Sequence, residues 1–340
     1  MKDYLLNHVA LLFLILLAMI AIFSDLLLSN LGWHIDIDLD HINKLPDFRC
    51  HAIHCLGTDY LGRDVLSMII HATRNSLIIS LFSGLIAIGT GILIGGIGGF
   101  LGDESIYISR AQLTCYTIIS ILLLFYIPLL SSLHSGWTFG LSLTLLLIIT
   151  VIVFYLLKSS LIKLKWFRQN IKLPIDLMNL KFIEIVYAIP LYFILLALAA
   201  FIRPSVFGLV LIIGFTYWPH TALLVRTEVL RIRSREFIKV LKLSGIPSWR
   251  IFLFHVIPNS YRPALINMSF VMASLLIVES TLSFIGVGLP SELITWGKIL
   301  AGFKVNTSNW WTVAFPGIII FCTILSLHRL RRWMAQVIEH

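Results

Sequence analysis

Charged residues are scarce in this chain. They make up 13% of the 340 residues, against 58% hydrophobic, where soluble domains carry about a quarter charged. With a mean hydropathy of +0.93, that deficit excludes an ordinary soluble enzyme, a disordered regulator and a coiled coil. Strict apolar–polar alternation is also missing, which argues against an outer-membrane barrel. Cysteine is sparse, at four residues. Cys115 and Cys322 fall in apolar runs and read as small buried hydrophobes. A nucleotide-binding loop is absent too. Gly57 and Gly62 have the glycine spacing of one, but Arg63-Asp64 stands where Lys and Ser/Thr must hold phosphate and Mg²⁺. No other segment fits that motif, so the chain carries no ATPase motif of its own. The eleven histidines are scattered, and no catalytic constellation converges.

What is present is a series of long apolar runs. A membrane-spanning helix needs about 20 mostly apolar residues, and eight stretches qualify: 8–28, 77–100, 111–131, 138–157, 182–202, 207–225, 264–286 and 311–328. The sequence therefore predicts an all-α polytopic membrane protein with about eight transmembrane helices. The first run starts too near Met1 for a secretory signal and is read as a retained helix.

Net charge is +9, from 26 Lys+Arg and 17 Asp+Glu. In a soluble protein that surplus would suggest nucleic acid; here its position decides. With Met1 inside, nineteen of the 26 basic residues fall on the cytoplasmic side. The positive-inside rule then places both termini in the cytoplasm. Loop 29–76 is external, and loops 158–181 and 226–263 are cytoplasmic and basic.

The loop at 234–258 is patterned. Ser234 is an expected N-cap, and Phe237, Val240, Leu241 and Ser244 share one helical face. Arg235, Glu236 and Lys239 take the other faces. Gly245 suits a left-handed helix end, and Pro247 suits the first turn of a second helix. Trp249, Phe252, Leu253 and Val256 repeat the spacing until Pro258 limits it. Two short amphipathic helices result, either lying on lipid or docking a soluble partner.

This segment resembles the cytoplasmic motif of ABC-importer permeases, in which Glu-Ala-Ala is followed by Gly and later by Ile-x-Leu-Pro. Gly245 and His255-Val256-Ile257-Pro258 fit it. Further stretches resemble the second permease subunit of the dipeptide/oligopeptide/nickel importers. They are Leu56-Gly57-Thr58-Asp59-Tyr60-Leu61-Gly62-Arg63-Asp64, Leu224 to Val229, Val278-Glu279-Ser280 through Gly288, Thr295-Trp296-Gly297 and Phe315-Pro316-Gly317. The resemblance implies a six-helix core in an inner-membrane importer. It divides the chain into an N-terminal helix and external loop (1–76), a first part of the core (77–110), and an inserted hairpin with a basic loop (111–173). The rest of the core with its coupling helices (174–328) and a cytoplasmic tail (329–340) follow.

The implied function is that of a binding-protein-dependent permease for peptides, with nickel or another small solute as an alternative. A secondary transporter is a further alternative, but it calls for paired intramembrane charges and an internal repeat. The implied partners are a second permease subunit, two ATPase subunits, an external substrate-binding protein and the bilayer, with no nucleic acid. No cofactor is expected on this chain; ATP and Mg²⁺ belong to the ATPase. ATPase coupling is expected from Arg235, Glu236, Phe237, Lys239, Val240, Leu241, Gly245, Pro247, Trp249, His255 and Pro258. Two departures stand out. Lys239-Val240-Leu241 replaces Glu-Ala-Ala, which puts a base where the family has an acid. Residues 112–173 have no family counterpart.

Three further features invite a reading. Gly91, Gly95 and Gly99 form a small-xxx-small stripe for close helix contact or a hinge. Glu279 lies within a span, where a buried acid lines a path or bonds a neighbouring helix. Cys50-His51-Ala52-Ile53-His54-Cys55 offers soft ligands, but ligands so close in sequence do not all reach one ion. A structural role or a local disulfide is preferred there, and no metal is assigned.

Overall fold

In the computed structural model, the described residues are 2–30, 37–47, 54–103, 107–133, 137–201, 203–288, 290 and 293–339. Cys50, and with it the disulfide or metal reading of Cys50–Cys55, lies outside them. So do residues 134–136, the centre of the expected hairpin turn.

The chain is almost entirely helical, as its unbroken apolar runs require. Helix α1 spans Lys2–Asn30 and α2 spans Val65–Leu101. A short strand β1 (Tyr107–Ser109) precedes α3 (Arg110–Leu133) and α4 (Trp137–Leu161). Strand β2 (Asn170–Lys172) leads to α5 (Ile175–Ala188), α6 (Leu191–Phe201) and α7 (Val206–Arg233). Then come α8 (Glu236–Leu243), α9 (Ser248–Ile251), a π turn (Phe252–Val256) and α10 (Ile257–Ile285). Helices α11 (Trp296–Ala301) and α12 (Trp311–Glu339) complete the order.

Seven helices among the described residues are long and apolar enough to cross a membrane, or up to eight if a bent pair counts as one span. That pair is α5 and α6, bent by 80° at Ile189-Pro190. The apolar run predicted over 182–202 holds this bend, so it is not one continuous helix. Proline has no N–H for the helical ladder and its ring clashes with the preceding turn.

Other boundaries also shift. Helix α2 begins at Val65 rather than 77, so the external loop is shorter than the predicted 29–76. At 37 residues and 1.5 Å each it is about 55 Å long, well beyond the ~30 Å hydrocarbon layer. Helix α12 runs on through Arg329, Arg331 and Arg332 into the stretch predicted as the tail.

The chain divides into two compact units, Met1–Phe100 with Leu180–His340, and Leu101–Asn179. In the first, one core cluster gathers Val65, Met68, Ala72, Leu276, Ile299 and Trp311 around the buried Trp296. A second joins α2, α6, α7 and α10 through Ile79, Leu195, Leu209, Ile213, Leu275 and Leu282. The second unit is an antiparallel arrangement of its own. Strands β1 and β2 pair with Tyr107 opposite Lys172 and Ser109 opposite Asn170. Above them Tyr116 meets Phe154 at 5.2 Å, and the Arg110 guanidinium lies 4.5 Å over the Trp166 ring. The most apolar stretch of α4 buries none of its residues, as suits a helix facing lipid.

Candidate functional site

Helix α8 is short because its ends are set by sequence. Arg235 takes the N-cap position with extended backbone and no side-chain cap bond. Ser234, the expected N-cap, instead ends α7, and its hydroxyl donates to the Arg231 carbonyl at 2.8 Å. Glu236 sits in the first turn, where the helix dipole favours a negative charge. Gly245 follows the helix with φ +76°. Ile246 N–H reaches back to the Leu241 carbonyl (3.3 Å) and Gly245 N–H to Lys242 (3.2 Å), which closes the helix with a left-handed cap.

The buried face of α8 is one step away from the predicted one. Ile238 is fully buried, with Leu241 and Ile246 partly buried against the same cluster. Phe237, Val240 and Leu243 are 39%, 59% and 88% exposed. Of the predicted stripe, Phe237, Val240 and Ser244 face outward and Leu241 alone turns toward the core. Lys239 is exposed as well. Lys242, exposed as a residue, lays its amine 5.6 Å over the Phe100 ring, and partial desolvation there, followed by the charge of Arg233, holds that amine below the usual lysine range.

The second predicted helix is not a separate element. Helix α9 passes through the π turn into α10 as one span, Ser248–Ile285. Pro258 does not end it: the wider turn at Phe252–Val256 absorbs the missing N–H and places Pro258 in the first turn of α10. Ile251 and Val256 are buried with Val225, Val229 and Ile232 of α7, and Phe252 packs on Phe100 at 5.2 Å. Trp249 and Leu253 point out, 57% and 48% exposed. Pro247 is the N-cap of α9. His255 lies in the π turn, where its carbonyl accepts from Asn259 Nδ2 at 2.6 Å. Glu228 pairs with Arg231 at 2.6 Å.

The glycine stripe is a helix crossing. A Cβ on Gly91 would stand 2.6 Å from Thr221 Cβ, and one on Gly95 would stand 2.2 Å from the Ala222 carbonyl oxygen. At Gly99 the Arg226 oxygen is 3.1 Å away. Helices α2 and α7 thus approach at backbone distance.

Glu279 is fully buried. Ser283 Oγ donates to it at 2.7 Å, and the hydroxyls of Ser76, Ser280 and Thr295 also hydrogen-bond it. Its carboxyl joins α10 to α2 and to the start of α11. The Trp296 indole adds a hydrogen bond to Thr73 Oγ1 at 3.3 Å.

The Gly57–Asp64 motif is a closed turn. Asp59 accepts from the Leu61 and Arg63 amides (2.9 and 2.8 Å) and forks to the Arg63 guanidinium (2.9 and 2.6 Å). Asp64 accepts from Ser67 N and Oγ, both at 2.8 Å, and so caps α2. The Thr58 carbonyl accepts from the Trp311 indole at 2.9 Å, which ties the turn to α12.

One feature was missed from sequence. A cavity of about 440 Å³ opens where α5 and α6 bend, lined by Tyr187, Pro190, Thr216, Tyr217, His220 and Phe270 among others. Pro190 inside an apolar run was the available signal.

Residues 170–340 match the family described as binding-protein-dependent transport system inner membrane component. The chain belongs to this family. It is a multi-pass inner-membrane permease, and the family is the permease component of importers rather than their ATPase. The matched region contains α8, α9, Glu279 and the cavity. Three curated permeases are similar over more of the chain. The dipeptide transport system permease protein of Bacillus subtilis is 23% identical over 82% of this chain and 66% of its own length. That of Alkalihalophilus pseudofirmus is 23% identical over 92% of this chain and 78% of its own. The oligopeptide transport system permease protein of Haemophilus influenzae is 22% identical over 94% and 80%.

Proposed function

We propose that this permease is one of two that together form the pathway of an ATP-driven peptide importer, and that α8 with the Trp249 turn receives a separate ATPase subunit. The observation that carries the reading is the outward apolar stripe of Phe237, Val240, Leu243 and Trp249 on a helix anchored by buried Ile238, Ile251 and Val256. An exposed apolar patch on a rigid support is a protein-contact surface. The peptide substrate follows the names of the relatives.

The basic residues of α8, and those at the adjoining ends of α7 and α12, put that end in the cytoplasm. Both termini are then cytoplasmic, and the turn Gly57, Thr58, Asp59, Gly62, Arg63 and Asp64 faces outside, where a substrate-binding protein delivers peptide. Two ATPase subunits hold ATP and Mg²⁺. Their closure moves α8, and the shared cluster of α7, α8 and α10 carries the motion to the spans. The cavity at the α5–α6 bend supplies this chain's wall of the path, with apolar side chains and a few polar ones, as a peptide site requires. Lys239 marks an ATPase surface adapted to a base.

Copurification tests docking. Wild-type permease in mild detergent should bring down its ATPase subunit, and Val240→Asp with Trp249→Asp should release it without lowering the permease's thermal stability. Retention by that exposed-site double variant would overturn the docking assignment. ATP-dependent uptake of a labelled peptide into proteoliposomes, with and without binding protein, tests direction and substrate.

A further inference from the structure

The loop between α1 and α2 holds a side-chain cluster that transport leaves unused. Asp38, His41 and His54 each offer a ligand atom, and these atoms all lie within 4.8 Å of one another. His41 Nδ1 and Asp38 Oδ2 are 2.7 Å apart. The two imidazole rings are 5.5 Å apart between centroids, tilted by 54°. His54 is buried, whereas the His41 and Asp38 side chains are 45% and 40% exposed. The cluster therefore has a fixed floor and an open mouth.

Its backbone is held in place. Gly62 has φ +79°, and a Cβ there would lie 1.8 Å from the Asp38 carbonyl oxygen, so the Asp38 backbone is seated directly on the Gly57–Asp64 turn. Thr58 Oγ1 donates to the His41 carbonyl at 2.5 Å, and Asn43 N–H donates to the Asp59 carbonyl at 3.1 Å. His54 has a second partner on its inner side: its Nδ1 is 3.2 Å from Asp64 Oδ1. Asp64 is itself fixed by Ser67. A carboxylate on one ring nitrogen sets the tautomer and leaves Nε2 as a lone-pair donor, the outer support that ligating histidines characteristically have.

We propose that Asp38, His41 and His54 form a binding site for a divalent transition ion of the zinc class, with Asp64 orienting His54. Two imidazoles and one carboxylate suit such an ion, whereas Mg²⁺ and Ca²⁺ prefer all-oxygen ligands. Ligand bonds of about 2.0–2.2 Å require the three donors to draw closer than 4.8 Å. The exposed Asp38 and His41 side chains have the freedom to do so. The ion takes the place of the proton between His41 Nδ1 and Asp38 Oδ2, and the neutral imidazole of His41 then carries its single N–H on Nε2. Water or a group from outside completes the coordination. This differs from the sequence reading, which placed no metal on the chain, because Asp38 and His41 reach His54 only through the folded turn. The site does not rest on the transport reading.

The test uses the full chain, purified in mild detergent through a tag without histidine, and titrated with Zn²⁺ against a chromophoric chelator. One Zn²⁺ per chain is expected, with no competition from excess Mg²⁺. His41→Gln and Asp38→Asn, both at exposed positions, should each weaken binding at least tenfold. The double change Cys50→Ser, Cys55→Ser should leave it intact. His54→Gln should abolish it, and the two exposed variants keep the test decisive if that one misfolds. Absence of a stoichiometric site overturns the proposal. So does a site that survives the Asp38 and His41 changes, or one lost with the two cysteines.

Discussion

Gly95 has no room for a side chain. The Ala222 carbonyl occupies the place its Cβ would take, at 2.2 Å. Gly89, six residues earlier in the same helix, meets nothing within 4 Å. The two glycines therefore predict opposite outcomes. Gly95→Ala must push α2 from α7, and overpacking of this kind costs about 1–3 kcal/mol. Gly89→Ala should be neutral or stabilising by up to about 1 kcal/mol, from helix propensity alone. Thermal unfolding of the two variants in detergent separates them, and equal melting temperatures would remove the close crossing. Asp64→Ala is a third residue-level case. It deletes a cap worth about 0.5–2 kcal/mol and should loosen the start of α2, seen as faster amide exchange over 65–68. The stripe Gly91, Gly95, Gly99 was legible in sequence because small residues at four-residue spacing have few other uses in a membrane. The partner of Glu279 was not. Ser76 and Thr295 lie far from it along the chain, and no local pattern connects them.

Helix α8 and the turn after it behave as one element. Gly245 is in the left-handed region, yet a Cβ there would meet nothing within 4 Å. Gly245→Ala therefore carries only the backbone cost, about 1–2 kcal/mol. Gly245→Pro is different, because φ +76° is closed to proline and the bond from Gly245 N–H to Lys242 is lost. It should uncouple ATP hydrolysis from peptide uptake while the spans stay folded. Wild-type uptake by this variant would count against the coupling role. Lys239→Glu, at an exposed position, should leave stability unchanged and lower uptake with the chain's own ATPase. Sequence periodicity found the face that carries Phe237 and Val240 and passed over Ile238. Phe237 and Ile238 are both strongly apolar, and long-range packing on Val229 and Ile232 made the choice between them. The continuation through Pro258 was hidden for a similar reason: one wide turn absorbs a residue that would otherwise end a helix.

At the scale of the whole molecule, hydropathy located each helix among the described residues that is long and apolar enough to cross a membrane, because the bilayer demands unbroken apolar runs. It was blind to the 80° bend of α5 and α6, which leaves the run's composition unchanged. The unit Leu101–Asn179 gives a further prediction. Strands β1 and β2 bring Ser109 opposite Asn170, and the family match begins at residue 170. Antiparallel strands can be joined by a two-residue turn, so residues 110–169 can be replaced by Asn-Gly without separating the flanking chain. Because α3 and α4 leave as a pair, the remaining spans keep their orientation. The shortened permease should still insert and copurify with its ATPase; failure to do so would give the hairpin a part in assembly.

The unbroken path from Ser248 to Ile285 has a mechanical consequence. Trp249 and Glu279 are thirty residues apart on it, about 45 Å at 1.5 Å per residue. A flexible linker would dissipate a push at Trp249, but a continuous helix acts as a lever arm. Its fulcrum lies where Ile251 and Val256 sit against α7. A tilt of a few degrees there becomes a stroke of about 2–3 Å at the far end, where Glu279 is bonded to α2.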